Sequence, residues 1–356
     1  MDMYIRKSVF NLTHWESWHY HAKYIPISPF WLWYCIKARS FWFFTASNPS
    51  ITFGGFEGEG KQEIYEQLPE NSFPKSLLIN HGLAFAEVRQ LLKQHEFTYP
   101  FIVKPDVGMM GYMFRKIFSD EELQLYHESL PVNYIIQKFV DYDLEVSVFY
   151  YRMPNADKGT ISGFLMKQQP EVTGDGKSTL ATLIEQNKDL KYKQNVLKAR
   201  HQKHLEMVLP ENEKYILSYA SNRSRGGKLI SLAHEIDEKL LNVFDKISLQ
   251  TKHFYYGRFD IKCASVESLK NGVDFSILEY NGAGAGVQHV YGNSLPLWKA
   301  CKIIVQHWEV LYRISVYNNK ENGVKYWDKK EGKMFLKKAR KDIMTLKKMD
   351  AEFPVF

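Results

Sequence analysis

At 356 residues, 45% of them apolar and 24% charged, the chain is long enough to bury a sizeable core in one multi-lobed body or two domains. Its formal charge of +7 is modest for that length and argues against a nucleic-acid partner. No uncharged apolar run reaches the roughly 20 residues that cross a bilayer, and three widely spaced cysteines, Cys35, Cys263 and Cys301, form no metal or redox pattern and suit a reducing cytoplasm.

The N-terminus, MDMYIRKSVF, lacks the apolar core and cleavage site of a signal peptide. The first 50 residues hold five of the eight tryptophans: Trp15, Trp18, Trp31, Trp33 and Trp42. Ser28 and Pro29 read as N-cap and first residue of a helix over 29–39. The aromatics of this segment either pack on the body or lie at a membrane interface.

From Lys61 onward helices and strands alternate, which predicts an α/β or α+β enzyme. Expected are a helix at 60–68, a strand at 75–79, a helix at 83–95 and a strand at 100–104. A glycine-containing turn, a strand at 111–117, a helix at 119–128 and strands at 134–139, 144–152 and 159–167 follow. A polar loop at 170–178 leads to helices at 179–187 and 235–250. Last come two strands and helices at 296–315 and 332–349.

Several motifs on this frame carry chemistry. Lys104 ends an apolar strand and is followed by Asp106-Val-Gly108-Met-Met-Gly111, where glycine lets backbone N–H groups approach phosphate. The crossover from Ile135 through Gln137, Lys138 and Val140 to Glu145 leaves backbone groups free for an adenine edge and a carboxylate for ribose hydroxyls. Gly176-Lys177-Ser178-Thr179 suggests a phosphate-binding P-loop, but Glu171 stands where its first glycine belongs. A helix-capping loop with Lys177 free to turn inward fits better. Asn222-Arg223-Ser-Arg225-Gly226-Gly227 sets two guanidiniums beside a glycine pair, suited to phosphate or a substrate carboxylate.

The strongest pattern lies near the C-terminal end, in YYGRFDIK and FSILEYNG. Both runs alternate as strands do, so Arg258 and Asp260 share one face and Glu279 and Asn281 share another. Asn271-Gly272 between them signals a turn, which predicts an antiparallel hairpin that gathers these four side chains. Two carboxylates and an amide oxygen suit a hard cation such as Mg²⁺, whose other ligands come from nucleotide phosphates. The pattern reads as an ATP site. Beyond it, lysines concentrate over 329–348, and Phe335, Ala339, Ile343 and Leu346 fall at helical spacing among them, as on a solvated helix or one that meets anionic lipid.

Taken in order, the lysine helix, V-K-P with its glycine loop, the crossover with Glu145, R-x-D and E-x-N resemble the ATP-grasp superfamily over about residues 58 to 295. The R-F-D and L-E-Y-N ending looks most like the D-alanine–D-alanine ligases. G-D-G-K-S-T and N-R-S-R-G-G are similar to glutathione and cyanophycin synthetases. The resemblance implies an α+β ATP-grasp fold, two α/β lobes with ATP between antiparallel sheets. Its divisions are an aromatic segment at 1–50, lobes at 51–136 and 137–316, and a basic tail helix at 317–356. It implies that Lys61 and Lys104, with Gly108 and Gly111, hold phosphates, that Gln137, Lys138 and Val140 meet adenine, and that Glu145 takes the ribose. Asp260, Glu279 and Asn281 would ligate two Mg²⁺ or Mn²⁺ ions, and Arg258, with Lys177 and Arg223, would serve catalysis.

Three features depart from the family pattern. Gln137 stands where it usually has Glu, Gly282-Ala-Gly-Ala-Gly286 replaces a proline-glycine turn, and the aromatic segment stands in place of the usual N-terminal α/β domain, which is reduced or replaced. The implied reaction activates a carboxylate as an acyl phosphate and joins it to an amine, both small molecules. Two other readings keep the nucleotide fold: a kinase acting on a hydroxyl, or a peripheral membrane module built on residues 1–50 and the basic tail and acting on an envelope or lipid-linked substrate. The implied setting is the cytoplasm, as a monomer or a homodimer, with the membrane reading placing the protein at the inner face of the membrane.

Overall fold

The computed structural model describes residues 15, 18, 20–190, 193–219, 221, 223–251, 253–291 and 295–353. Helix α1 (Ser28–Ala38) starts one residue earlier than expected, because the Ser28 hydroxyl donates back to the Ile25 carbonyl at 2.9 Å and Ile27 is the cap. It ends at Arg39, whose φ of 54° stops the helix.

The first lobe holds α2 (Lys61–Tyr65), β1 (Ser76–Ile79), α3 (Phe85–Gln94), β2 (Phe101–Pro105), β3 (Arg115–Ile117), α4 (Asp120–Ser129) and β4 (Tyr134–Lys138). Its antiparallel sheet runs β1-β4-β2-β3. Strand β3 is shorter than predicted because Met110, Gly111 and Met113 adopt positive φ, which carries the glycine loop on to residue 114. Helix α4 is capped by the Ser119 hydroxyl, which accepts from the Glu122 N–H.

The second lobe holds β5 (Leu144–Tyr151), β6 (Thr160–Gln168), β7 (Glu171–Thr173), α5 (Leu180–Gln186), α6 (Gln194–Arg200), β8 (Lys214–Ile216), β9 (Lys228–Ser231), α7 (Glu238–Gln250), β10 (Tyr256–Cys263), α8 (Val266–Lys270) and β11 (Phe275–Asn281). Five strands form an antiparallel sheet in the order β11-β10-β5-β6-β9, and β7 pairs with β8 apart from it. The loop expected at 170–178 thus contains a short strand. The fold is α+β, two antiparallel-sheet lobes as the ATP-grasp resemblance implies. Two helices complete it, α9 (Leu297–Lys320) and α10 (Lys329–Glu352).

Each face of the large sheet buries its own core. On one side Val146, Val148, Phe259 and Ile261 meet Leu240, Phe244 and Ile247 of α7. On the other, Phe149 and Tyr256 meet Ile304, Leu311 and Ile314 of α9 and the aromatics Phe43, Phe44 and Phe53. The inner half of the aromatic segment therefore packs on the body, with Tyr34 stacked on Tyr312 at 5.1 Å. Fully buried Asn48 fixes it there: its Oδ1 accepts from the N–H groups of Tyr255 and Tyr256, and its Nδ2 donates to the carbonyls of Gly54 and Tyr256. The amide uses its capacity on backbone and so places the start of β10. At the other end of the chain, Leu346 of α10 inserts into the first lobe's core beside Val88, Phe101 and Ile136.

Candidate active site

Strands β10 and β11 pair as the alternation predicts, with Arg258 opposite Asn281 and Asp260 opposite Glu279. The connection is longer than a tight hairpin. Helix α8 fills it, and Asn271-Gly272 forms that helix's end, with Gly272 at φ 71°.

Asp260 is the buried centre of an ion cluster. Arg258 grips it bidentately (Nε to Oδ1 3.0 Å, Nη2 to Oδ2 3.1 Å), Lys167 Nζ stands 2.8 Å from Oδ2, and the Ser147 hydroxyl donates to Oδ1 at 2.9 Å. Burial pushes the Asp260 carboxyl up, but the cations Arg258 and Lys167 more than offset this and hold it below the usual carboxylate range. Lys167 also lies 3.6 Å from Glu145, which accepts from the Ser221 hydroxyl at 2.6 Å. Burial raises the Glu145 carboxyl, with Lys167 and Ser221 opposing. Lys167 was not singled out in the sequence, although a lysine inside the apolar strand TISGFLMKQ was a usable signal.

Glu279 is more open, its side chain about 35% exposed, and Lys61 Nζ sits 3.9 Å from it while donating to the Asp106 and Gly108 carbonyls. Lys61 thus bridges the glycine loop and β11. Beside them lies Glu59, whose buried Oε2 has no hydrogen-bond partner and whose carboxyl burial pushes to about 7, with Lys61 opposing and Glu279 adding to the rise. Packing alone covers the Glu59 Oε2, so nothing in G-E-G marked it.

Lys104 is tied to the second lobe. Its ammonium is buried and donates to Tyr65 Oη at 2.8 Å, Gln137 Oε1 at 3.0 Å and the Leu278 carbonyl at 3.1 Å, so all three of its N–H groups are directed to protein acceptors. Burial lowers its pKa to about 8, with Glu279 and Asp106 partly opposing. In this arrangement it joins the first lobe to β11. Gln137 belongs to the same network, its Nε2 donating to Tyr65 and Ser76. Its side chain therefore faces Lys104. The Lys138 N–H donates to the Lys75 carbonyl, and Val140 is half-buried in the crossover loop.

The loop from Asp106 to Phe114 is held by a turn of the second lobe and by α10. Arg225 donates to the Met110 and Gly111 carbonyls at 3.1 and 2.7 Å and pairs with Asp350 of α10 at 2.8 Å. Asp350 also accepts from the Met113 N–H and from Arg115, each at 2.9 Å. Gly108 packs near Leu346, and Gly111, at φ 69°, lets the chain turn under Arg225. Of the two guanidiniums in the N-R-S-R-G-G motif, Arg225 holds this loop, while Arg223 lies over the Tyr291 ring at 4.5 Å; Asn222 lies outside the described residues. Lys177 is exposed on a turn whose Asp175 carboxylate accepts from its backbone N–H, and no bond joins it to the hairpin face.

The glycine run after Asn281 has a steric cause. A Cβ on Gly284 would sit 1.8 Å from the Phe56 carbonyl, and the N–H groups of Ala283 and Gly284 donate to Gly54 and Gly55. The aromatic segment's backbone thus occupies the space beside the run and requires glycine there.

The hairpin face fits a hard cation in kind. Asn281 is half-buried and its side-chain nitrogen is buried and unpartnered; a half-turn of that amide exchanges nitrogen for oxygen at this position. Asp260's oxygens are engaged by Arg258, Lys167 and Ser147, so Glu279 and Asn281 are the donors with open capacity. Among the described residues no three His, Cys, Asp or Glu side chains converge as a metal group.

No protein-family model matches the chain, and no curated protein is similar to it. Solved structures are similar in part. A bifunctional glutathione synthetase from Pasteurella multocida is 13% identical over 69% of this chain, with a TM-score of 0.36. D-alanine–D-alanine ligase from Bacillus anthracis is 15% identical over 74% of this chain and 69% of its own length, with a TM-score of 0.41. VanG D-Ala:D-Ser ligase from Enterococcus faecalis is 11% identical over 76% and 60%, with a TM-score of 0.38. The match spans only 35% of the glutathione synthetase. These likenesses are partial.

Proposed function

We propose that the chain is an ATP-dependent carboxylate-amine ligase, similar in reaction to the D-alanine–D-alanine ligases its sequence resembles. The observation that carries this reading is the register of β10 and β11, which sets Arg258, Asp260, Glu279 and Asn281 on neighbouring positions of one sheet, with Lys61 reaching them from the other lobe.

In this reading a substrate carboxylate oxygen attacks the γ-phosphorus of ATP, giving an acyl phosphate and ADP. An amine then attacks the acyl carbon, phosphate leaves, and the nitrogen loses a proton. Charge builds on phosphoryl and acyl oxygens in both steps, so the main task is preorganised positive charge. Arg258 has that role: its guanidinium is locked by Asp260 and anchored on the Gly286 carbonyl at 3.2 Å, and it needs no reorganisation to receive an anion. Lys61, tied to the glycine loop, meets phosphate where that loop closes over it. Mg²⁺ or Mn²⁺, held by Glu279 and Asn281 with Asp260 behind them, would neutralise charge on the phosphate oxygens.

The test is a screen of ADP release with paired carboxylates and amines, followed by mass spectrometry. An amide product is expected, and Glu279→Gln should cut turnover by about 10²-fold or more while leaving unfolding by urea unchanged. A phosphorylated hydroxyl with no amide would make the protein a kinase. Near-normal ADP release from both Glu279→Gln and Asp260→Asn would remove the site.

A further inference from the structure

The outer half of α1 is an anomaly that the ligase reading does not absorb. Trp31, Tyr34, Cys35 and Ala38, at helical spacing, face the body, as a surface helix should. The opposite face is apolar as well: Phe30, Leu32, Trp33 and Ile36, flanked by Ile25 and Phe41, are each between 49% and 69% exposed. Six large side chains at that exposure present on the order of several hundred Å² of apolar surface, more than an isolated soluble protein usually leaves bare. A helix apolar all round belongs in a core or in lipid. At 11 residues this one is too short to span a bilayer, and no helix among the described residues is long and apolar enough to do so.

Positive charge borders the patch. Lys37 lies 5.8 Å from the Trp33 ring and Lys329 5.9 Å from the Phe41 ring, and Arg39 is exposed between them in sequence. Trp42 links the patch to α10, its indole N–H reaching the Lys329 carbonyl at 3.4 Å and its ring covering Gly332 so closely that a Cβ there would sit 2.7 Å from it. Helix α10 carries nine Lys and Arg against four Asp and Glu, a net of +5 out of the chain's +7. An open groove of about 830 Å³ runs along it, lined by Trp42, Leu336 and Met344 with Lys333, Lys337 and Arg340.

We propose that the outer face of α1 and the basic face of α10 together form a docking surface for an anionic lipid bilayer. The apolar side chains enter the boundary between headgroups and acyl chains, about 5–10 Å deep, while the lysines stay at phosphate level with their stems along the apolar surface. Charge complementarity selects the occupant: one contiguous apolar patch bordered by cations fits a negatively charged membrane. The inner face of α10 bears Asp350, so docking surface and glycine-loop clamp are two sides of one helix.

The experiment is flotation of the full chain with phosphatidylcholine vesicles, with and without about 30% phosphatidylglycerol, at low salt and at about 0.5 M NaCl. Two double variants accompany it, Trp33→Ser with Ile36→Ser, and Lys333→Glu with Lys337→Glu. All four side chains are exposed, so thermal unfolding should match wild type. Wild type should float with anionic vesicles, less so at high salt. The apolar variant should bind about tenfold more weakly or worse, and the charge-reversed variant should lose its preference for anionic lipid. Absence of flotation at low salt, or equal flotation of wild type and both variants, would overturn the proposal. So would a lipid-free dimer abolished by the Trp33 and Ile36 changes, which would assign the face to a second copy of the chain.

Discussion

Two buried ion clusters hold this molecule together, and they are built alike but placed differently. In the hairpin cluster Asp260 lies between Arg258 and Lys167; in the loop clamp Asp350 lies between Arg115 and Arg225. The first is confined to one sheet. The second draws on a strand of the first lobe, a turn of the second and the C-terminal helix, with Arg115 and Asp350 235 residues apart. One cluster therefore shapes a surface, whereas the other decides how a loop of one lobe sits against its neighbours.

The largest effect that would sharpen this contrast is at the hairpin. Asp260→Ala leaves Arg258 and Lys167 buried without their carboxylate and should cost about 3–5 kcal/mol, read as a lower urea midpoint. A loss within a few tenths of a kcal/mol would mean that the cluster is open to water and not a buried one.

Asp350→Asn keeps the shape of the clamp but removes its charge, and should cost about 1–3 kcal/mol. Its signature is local: amide exchange should speed up over 106–114, while β10 and β11 stay protected. Equal loss of protection in both regions would mean that the two clusters do not act separately.

A smaller effect follows from pH. Burial lowers His289 to about 4, and burial with His289 beside it lowers His307 to about 3, their rings 5.2 Å apart near Phe149 and Tyr256. The unfolded chain takes up these protons near pH 6.5 and the folded chain does not, so their contribution to stability is full above about 6.5 and declines as pH falls toward about 4. Asp260 and Asp350 have depressed folded values, so their contribution is present above about pH 3.9 and is lost below it. Acid unfolding should therefore show two windows, with His307→Gln flattening the upper one and Asp350→Asn the lower. A single window unmoved by either change would sink this division.

Much of the frame was legible because its signals are local. Alternation located β10 and β11, whose pairing the structure shows. Strands β8 and β9 and helix α6 were missed, being short segments with little apolar periodicity whose burial comes from segments elsewhere in the chain. At the site, the four hairpin residues were legible, but their neighbours Glu59 and Lys167 were not identified. The network that Lys104 makes with Tyr65, Gln137 and Leu278 was not legible either.

The sequence by itself determined that Arg258 shares a face with Asp260, and Glu279 with Asn281, because a strand repeats every two residues wherever it lies. Tertiary structure alone decided which cations close on Asp260, where the ammonium of Lys104 spends its hydrogen bonds, and that a carboxylate on the last helix holds the glycine loop. Those outcomes depend on burial, which makes a charge seek whatever partner packing brings within reach, and no local pattern encodes a partner hundreds of residues away.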